Sequence, residues 1–250
     1  MLFISPPFGN YLYLPCTNQI LGSFTLDNRE GLYQQIINTL SYSYKYNGWI
    51  NKIGLRNKGI EHAINIYNKS NNDNKIYSIA ILDEKEISIL IQKIPNKMNI
   101  ELNVSCPNLD KKMINKGLSS FLNDNRKWCI IKLSPKTDHN LIDSYYKQGF
   151  RQFHCSNTLP VKEGGLSGKT LIPYTEKLIT YIKKKYPDTE LIAGGGVQEW
   201  DDVINYYKIG ANHISVSTIC FNPFKLGLLY LNFIQPKNPP DLEYMDMFVL

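Results

Sequence analysis

Short apolar runs recur along this chain, and each is followed by a segment of helix length with one apolar face. The runs cover residues 20–26, 76–82, 100–104, 128–133, 152–155, 191–193 and 213–216. The helical segments cover residues 31–46, 60–68, 84–93, 116–123, 140–149, 172–186, 200–209 and 223–233. Strand–helix alternation folds into a parallel sheet, because each strand is rejoined to its neighbour by a right-handed helical crossover. The sheet is then either open and doubly wound or closed into a barrel. An open dinucleotide-binding sheet would carry G-x-G-x-x-G after its first strand, and no such run is present. A barrel needs an eighth strand, and Phe8-Gly9-Asn10-Tyr11-Leu12-Tyr13-Leu14 is the candidate. The length of 250 residues suits one barrel. The sequence is therefore read as α/β, a single-domain (β/α)8 TIM barrel over residues 1–250.

Charge and cysteine usage narrow the function classes. The net charge is +6, but the lysines are dispersed, and the one tight cluster, Lys183-Lys184-Lys185, reads as a solvated helix face rather than a nucleic-acid surface. The five cysteines, Cys16, Cys106, Cys129, Cys155 and Cys220, form no C-x-x-C pair, so neither zinc nor a disulfide framework is expected. Cys129 and Cys155 sit within apolar runs and read as small core residues. The start of the chain lacks a signal-peptide pattern, and the apolar stretch at 226–234 is too short to span a bilayer. A cytoplasmic protein without membrane contact is expected.

In a β/α barrel the chemistry lies where strands end and βα loops begin. Polar residues and bare glycines gather at those places. Gly194-Gly195-Gly196 follows the run at 191–193, and Ser217-Thr218 follows the run at 213–216. Glycines let backbone N–H groups approach an anion, and a following helix adds partial positive charge. Two adjacent strand ends of this kind match a barrel phosphate site; singly, each is an ordinary tight turn. Lys132 interrupts an apolar strand, and an inward ammonium is costly unless paired. The N1–C2=O edge of a flavin would pair it; the alternative is a lysine snorkelling off the strand end. Asn51, Asn103, Asn108 and Asn157 offer donors and acceptors together, as a pyrimidine edge requires, although each alone reads as a turn residue. Cys106, between Ser105 and Pro107, is either a buried structural thiol or a base above a ring.

Several of these segments resemble one family in order. Glu101-Leu102-Asn103-Val104-Ser105-Cys106-Pro107-Asn108 resembles the E-L-N-x-S-C-P-N segment of class 1 dihydroorotate dehydrogenases. Asn51 to Gly59 is similar to the family's N-x-x-G-L-x-N-x-G loop, and Ile131-Lys132-Leu133-Ser134-Pro135 to its flavin-lysine strand. Gly22-Ser23-Phe24-Thr25-Leu26 resembles its second-strand segment, and Asn157-Thr158 with Gly164-Gly165-Leu166-Ser167-Gly168 a further substrate and flavin segment. The resemblance runs from about Gly22 to about Leu229 and implies an FMN-dependent oxidoreductase that converts dihydroorotate to orotate in pyrimidine biosynthesis. It implies Cys106 as the catalytic base, and Asn51, Asn103, Asn108, Asn157 and Thr158 as pyrimidine ligands. It implies Ser23, Lys132, Gly168, Gly195, Gly196, Ser217 and Thr218 as FMN ligands, with no metal.

Two departures stand out. Gly22 occupies the place of a family lysine that serves both flavin and the orotate carboxylate. The segment before Gly22 has no Ala-Ser-Gly turn, so a truncated or atypical first βα unit is expected. No iron–sulfur cysteine cluster is present, so the electron acceptor stays open, as does a homodimer. Two competing readings remain: a dihydrouridine synthase-like flavoenzyme acting on tRNA, and a barrel descendant that has lost catalysis or changed substrate.

Overall fold

The barrel strands are buried almost throughout, because alternate residues face the barrel interior and the helices outside and both faces are covered. The computed structural model describes residues 1–70, 74–104 and 114–235. The first half contains β1 (Leu2–Ile4), β2 (Thr17–Phe24), α1 (Leu32–Thr39), β3 (Ser41–Ser43), β4 (Gly48–Asn51), α2 (Gly59–Lys69), β5 (Lys75–Ala80), α3 (Glu86–Lys93) and β6 (Ile100–Asn103). The second half contains β7 (Cys129–Lys132), α4 (His139–Lys147), β8 (Gln152–Cys155), β9 (Leu159–Val161), β10 (Gly164–Gly168), α5 (Ile172–Lys185), β11 (Glu190–Ala193), α6 (Trp200–Lys208), β12 (His213–Val216) and α7 (Pro223–Ile234).

Eight strands close a barrel in the order β1-β12-β11-β8-β7-β6-β5-β2, all parallel. The expected barrel is therefore present. Its interior has an apolar floor of Phe3, Ile20, Ile76, Trp128, Ile130 and Ile192, all buried. Two residues further along the same strands, on the same face, come Ser5, Gly22, Ser78 and Lys132. The barrel is thus filled by an apolar layer below and a polar layer above. Outside, Leu102, Ile131, Phe153, Leu191 and Ile214 face the helices within the main core. Burial of each such side chain stabilises by roughly 1.5–3 kcal/mol.

The eighth strand is not where it was expected. Leu2–Ile4 supplies it, paired to β12 and β2, while Phe8–Asn10 forms a single 3-10 turn. Pro6 and Pro7 precede that turn and lack the N–H groups a strand needs. Gly9 is pressed so closely against β1 and β2 that a Cβ there would lie 2.1 Å from the Ile20 carbonyl oxygen. Residues 5–16 contain no α-helix, so the atypical first βα unit is borne out. Asn10 ties this connection to β2, accepting from Gly22 N at 2.9 Å and donating to Gly22 O at 3.2 Å.

Two further expectations are corrected. The helix expected over 31–46 stops at Thr39, whose hydroxyl caps it on Gln35 O and accepts from Lys52 N. Tyr42 and its neighbours continue as β3, because alternating aromatics suit a pleated surface. The helix expected over 116–123 is only a 3-10 turn, Leu118–Phe121, entered through left-handed Gly117. A second sheet, β3-β4-β10-β9, is antiparallel and was not anticipated. It joins the connections that follow β2 and β8, with Asn51 opposite Gly165 and Gly48 opposite Gly168.

Candidate active site

The C-terminal ends of β7, β8, β11 and β12 surround one cleft, about 530 Å³ with the open solvent at its mouth included. Lys132, His154, Asn157, Thr158, Gly168, Gly195, Gly196, Ser215, Ser217 and Thr218 line it, with Ser5 and Pro6 from the first connection.

On one side the walls are backbone. Gly195 and Gly196 hold φ of +84° and +90°, and a Cβ on Gly196 would lie 2.5 Å from Ile172 Cγ1. Only glycine fits such a turn without strain. The α6 N-terminus does not contribute as expected. Asp202 on the helix itself accepts from Gln198 N at 2.8 Å and Glu199 N at 3.1 Å. An anion here would meet the Gly195-Gly196 backbone and the Ser217-Thr218 turn instead. Ser217 Oγ donates to Pro6 O, whereas Thr218 Oγ1 accepts from Gln198 and keeps its own proton to give.

Below the cleft lies the polar layer, centred on Glu101, which is fully buried. Its Oε1 accepts from Lys132 Nζ at 3.1 Å and Ser78 Oγ at 2.7 Å, and its Oε2 meets His154 Nδ1 at 2.5 Å. Burial by itself would push the carboxyl up, but Lys132 and His154, with the hydrogen bonds of His154 and Ser78, outweigh it and hold Glu101 at about 2. Burial pushes His154 below the usual imidazole value, against the pull of Glu101, so the ring is neutral near pH 7. A carboxylate only accepts, so Nδ1 carries the proton and Nε2 accepts from Ser215 Oγ at 2.7 Å.

The same logic runs outward. Ser78 gives its proton to Glu101, so Ser23 donates to Ser78 and accepts from Asn103 Nδ2 at 3.0 Å. Asn103 Oδ1 then accepts from Asn157 Nδ2 at 3.2 Å, and Asn157 Oδ1 accepts from Thr158 N. One buried anion thus orients the Ser78 and Ser23 hydroxyls, and the amides of Asn103 and Asn157 continue the chain toward the mouth.

Of the residues singled out by sequence, Lys132, Asn157, Thr158, Gly168, Gly195, Gly196, Ser217 and Thr218 share the cleft. Ser23 and Asn103 join it through the hydrogen-bond chain rather than its wall. Asn51 stands on β4 opposite Gly165 and is not among the described residues lining the cleft. Cys106 and Asn108 lie outside the described residues. Lys132 finds its partner in a protein carboxylate, where a ligand edge was expected. Glu101, His154 and Ser215 were missed, although each is a polar residue within an apolar strand, the same signal that drew notice to Lys132. Cys129 and Cys155 are buried as expected, and burial raises both thiols, Cys129 to about 12.

A closed β/α barrel with a bare glycine turn and a lysine meeting in one cleft at its C-terminal rim has the architecture of the β/α-barrel enzymes, whose active sites sit at that rim. Comparison narrows the class. The family model for dihydroorotate dehydrogenase matches residues 14–226. The chain belongs to the dihydroorotate dehydrogenase family, and so to the oxidoreductases. A putative dihydroorotate dehydrogenase A (fumarate) of Aquifex aeolicus is 27% identical over 78% of this chain and 76% of its own. The catalytic subunit of dihydroorotate dehydrogenase B (NAD(+)) of Staphylococcus carnosus is 29% identical over 70% of this chain and 68% of its own. The crystal structure of DHODH from Eimeria tenella in complex with ferulenol has a TM-score of 0.66 at 16% identity, over 86% of this chain and 74% of that one, a likeness of fold.

The family is flavin-dependent, and the residues present fit a flavin mononucleotide. The glycine turn is a cradle that a Cβ would fill, next to the Thr218 hydroxyl and backbone donors suited to a phosphate. Lys132 faces the same cleft from below, where a ring edge bearing oxygen and nitrogen acceptors would meet it. Among the described residues no metal-binding group of histidine, cysteine or carboxylate side chains is present, and no helix is long and apolar enough to cross a membrane.

Proposed function

We propose that this chain binds FMN at the barrel mouth and oxidises dihydroorotate to orotate. The observation that supports it most is the convergence of Gly195, Gly196, Thr218 and Lys132 on one cleft in a chain of this family. Gly195, Gly196, Ser217 and Thr218 would hold the phosphate, Gly168 the sugar side and Lys132 the ring edge. The chemistry the flavin supplies when bound is acceptance of a hydride. Asn51, Asn103, Asn108, Asn157 and Thr158 would hold the pyrimidine through its amide edges, which need donors and acceptors together.

Cys106 comes three residues in sequence after Asn103, the last residue of the strand that carries Glu101. Its thiolate would take the C5 proton of the substrate, a role for which the usual thiol value of about 8.5 must be met by pH or lowered by its surroundings. Gly22 offers no side chain to the substrate carboxylate. Loss of one charged hydrogen bond weakens binding by roughly 1.5–3 kcal/mol, so a higher KM than in a lysine-bearing relative is expected.

The test is direct. Purified protein should be yellow and release FMN on denaturation, and dihydroorotate should bleach it without oxygen. A colourless protein that FMN cannot reconstitute, or a bound flavin that dihydroorotate fails to reduce, would overturn the proposal. Fumarate and NAD+, which the names of the two relatives carry, are the first acceptors to try, and sedimentation of the same sample tests a homodimer.

A further inference from the structure

Glu101 is shared by three side chains from different strands, with Ser78 on β5 donating to Oε1 at 2.7 Å. Lys132 on β7 meets Oε1 at 3.1 Å and His154 on β8 meets Oε2 at 2.5 Å. The carboxylate is fully buried and His154 is 1% exposed, so no solvent screens the group. In such surroundings a carboxylate stays ionised only while charges and donors face it. Lys132 supplies the charge. Ser78 donates to the same oxygen as Lys132, His154 alone donates to Oε2, and the imidazole is itself held from behind by Ser215 of β12, at 2.7 Å. Lys132 and His154 both line the cleft, so the state of this group is felt by anything bound above it.

We propose that His154 is a positioning residue for Lys132: by donating from Nδ1 to Glu101 it keeps that carboxylate ionised against the lysine, and so sets the charge beneath the bound ring. This rests on the flavin reading above. With Glu101 ionised, the Lys132–Glu101 pair is neutral overall. If Glu101 takes up a proton, the floor gains one positive charge, and a reduced flavin, which is the more negative form, is favoured. The groups facing His154 are Glu101 from β6, Lys132 from β7 and Ser215 from β12, and only the first two are charged. Burial and Lys132 both oppose protonation of the ring, and Glu101 favours it.

The experiment has two readouts. In flavin-free protein, nitrogen NMR of the His154 ring should show the Nδ1–H tautomer near pH 7, and Glu101→Gln should shift its signals. In protein loaded with FMN, the ratio of affinities for oxidised and reduced flavin is measured against pH. His154→Leu removes the donor and should raise the pH at which the ratio turns toward the reduced form by about one unit, a tenfold change in the proton affinity of Glu101 and the size expected for one charge-assisted hydrogen bond. The shift should fade as pH rises and Glu101 ionises without help. His154→Asn keeps a donor near the Nδ1 position and should stay within about twofold of the native ratio. Glu101→Gln should remove that turn, and adding His154→Leu to it should add nothing, which reads the coupling even if His154→Leu alone folds poorly. An Nε2–H tautomer, or an unchanged turning pH in a flavin-binding His154→Leu protein, would overturn the proposal. If no variant and no native protein binds flavin, the functional reading fails, and the tautomer still decides whether His154 serves Glu101.

Discussion

Lys132 Nζ lies 3.1 Å from Glu101 Oε1 inside the barrel, with the two side chains 9% and 0% exposed. Neither group could stand there alone, since an unpaired buried charge is far more costly than a paired one. Lys132→Met should therefore lower stability by about 3–5 kcal/mol, measured by chemical denaturation. Lys132→Met combined with Glu101→Gln should recover much of that loss, because the remaining amide still accepts from Ser78 or His154. A single variant that loses under about 1 kcal/mol would show the pair to be less isolated from water than its burial indicates.

Acid should unfold the protein in two stages. The His154 imidazole is held below its usual 6.5 by burial, so the unfolded chain binds this proton more readily than the folded one. Stability is thus lost as pH falls through 6.5. Glu101 is held at about 2 against a usual 4.5, so its share is lost between those values on further acidification. Thermal melts from pH 8 to pH 3 should fall continuously below pH 6.5. His154→Asn should flatten the upper part of that fall and Glu101→Gln the lower part.

Gly196→Ala should weaken FMN binding by at least tenfold and cost about 1–2 kcal/mol of stability, because its Cβ would meet Ile172 Cγ1 at 2.5 Å with φ at +90°. Gly227→Ala is the control. Nothing lies within 4 Å of a Cβ there and the residue is helical, so stability should rise by about 0.5–1 kcal/mol with flavin binding unchanged. Titration of FMN with denaturation of the same samples separates the two effects.

Gly22→Lys restores the family residue in sequence and should nevertheless fail to restore its function. The backbone there has φ of +106°, and a Cβ would lie 2.7 Å from Ser78 O. The variant should melt lower and show no gain in affinity for orotate by calorimetry. A tighter orotate complex would mean that this segment rearranges readily around a side chain.

Cys106→Ala should retain FMN and slow flavin reduction by dihydroorotate by orders of magnitude, read in an anaerobic stopped-flow instrument. Reduction at the native rate would remove Cys106 from proton transfer.

Much of the barrel was legible because seven apolar runs and their intervening amphipathic segments have the right periods. The eighth strand was not, since Leu2–Ile4 is too short to show a period and is recognisable only by its pairing with β12. The β3-β4-β10-β9 sheet was hidden for a similar reason: its partners are remote in sequence, and glycines fill much of β10. The rim residues were legible as polar breaks at strand ends. Glu101 and His154 are visible in sequence as polar residues inside strands, but their pairing appears only once β6 and β8 are brought together in the barrel. Their meaning lies in convergence, which spacing along one strand does not encode.

Leu2 of β1 aligns with Ile214 of β12. The ring of strands therefore cannot be sealed until β12 has emerged from the ribosome, more than two hundred residues after β1, and before then β12's place beside β1 is an open edge. Contacts so distant in sequence slow folding, and an unsealed edge invites association between nascent chains. The yield of native protein should consequently respond to synthesis rate and temperature more than its final stability alone would imply.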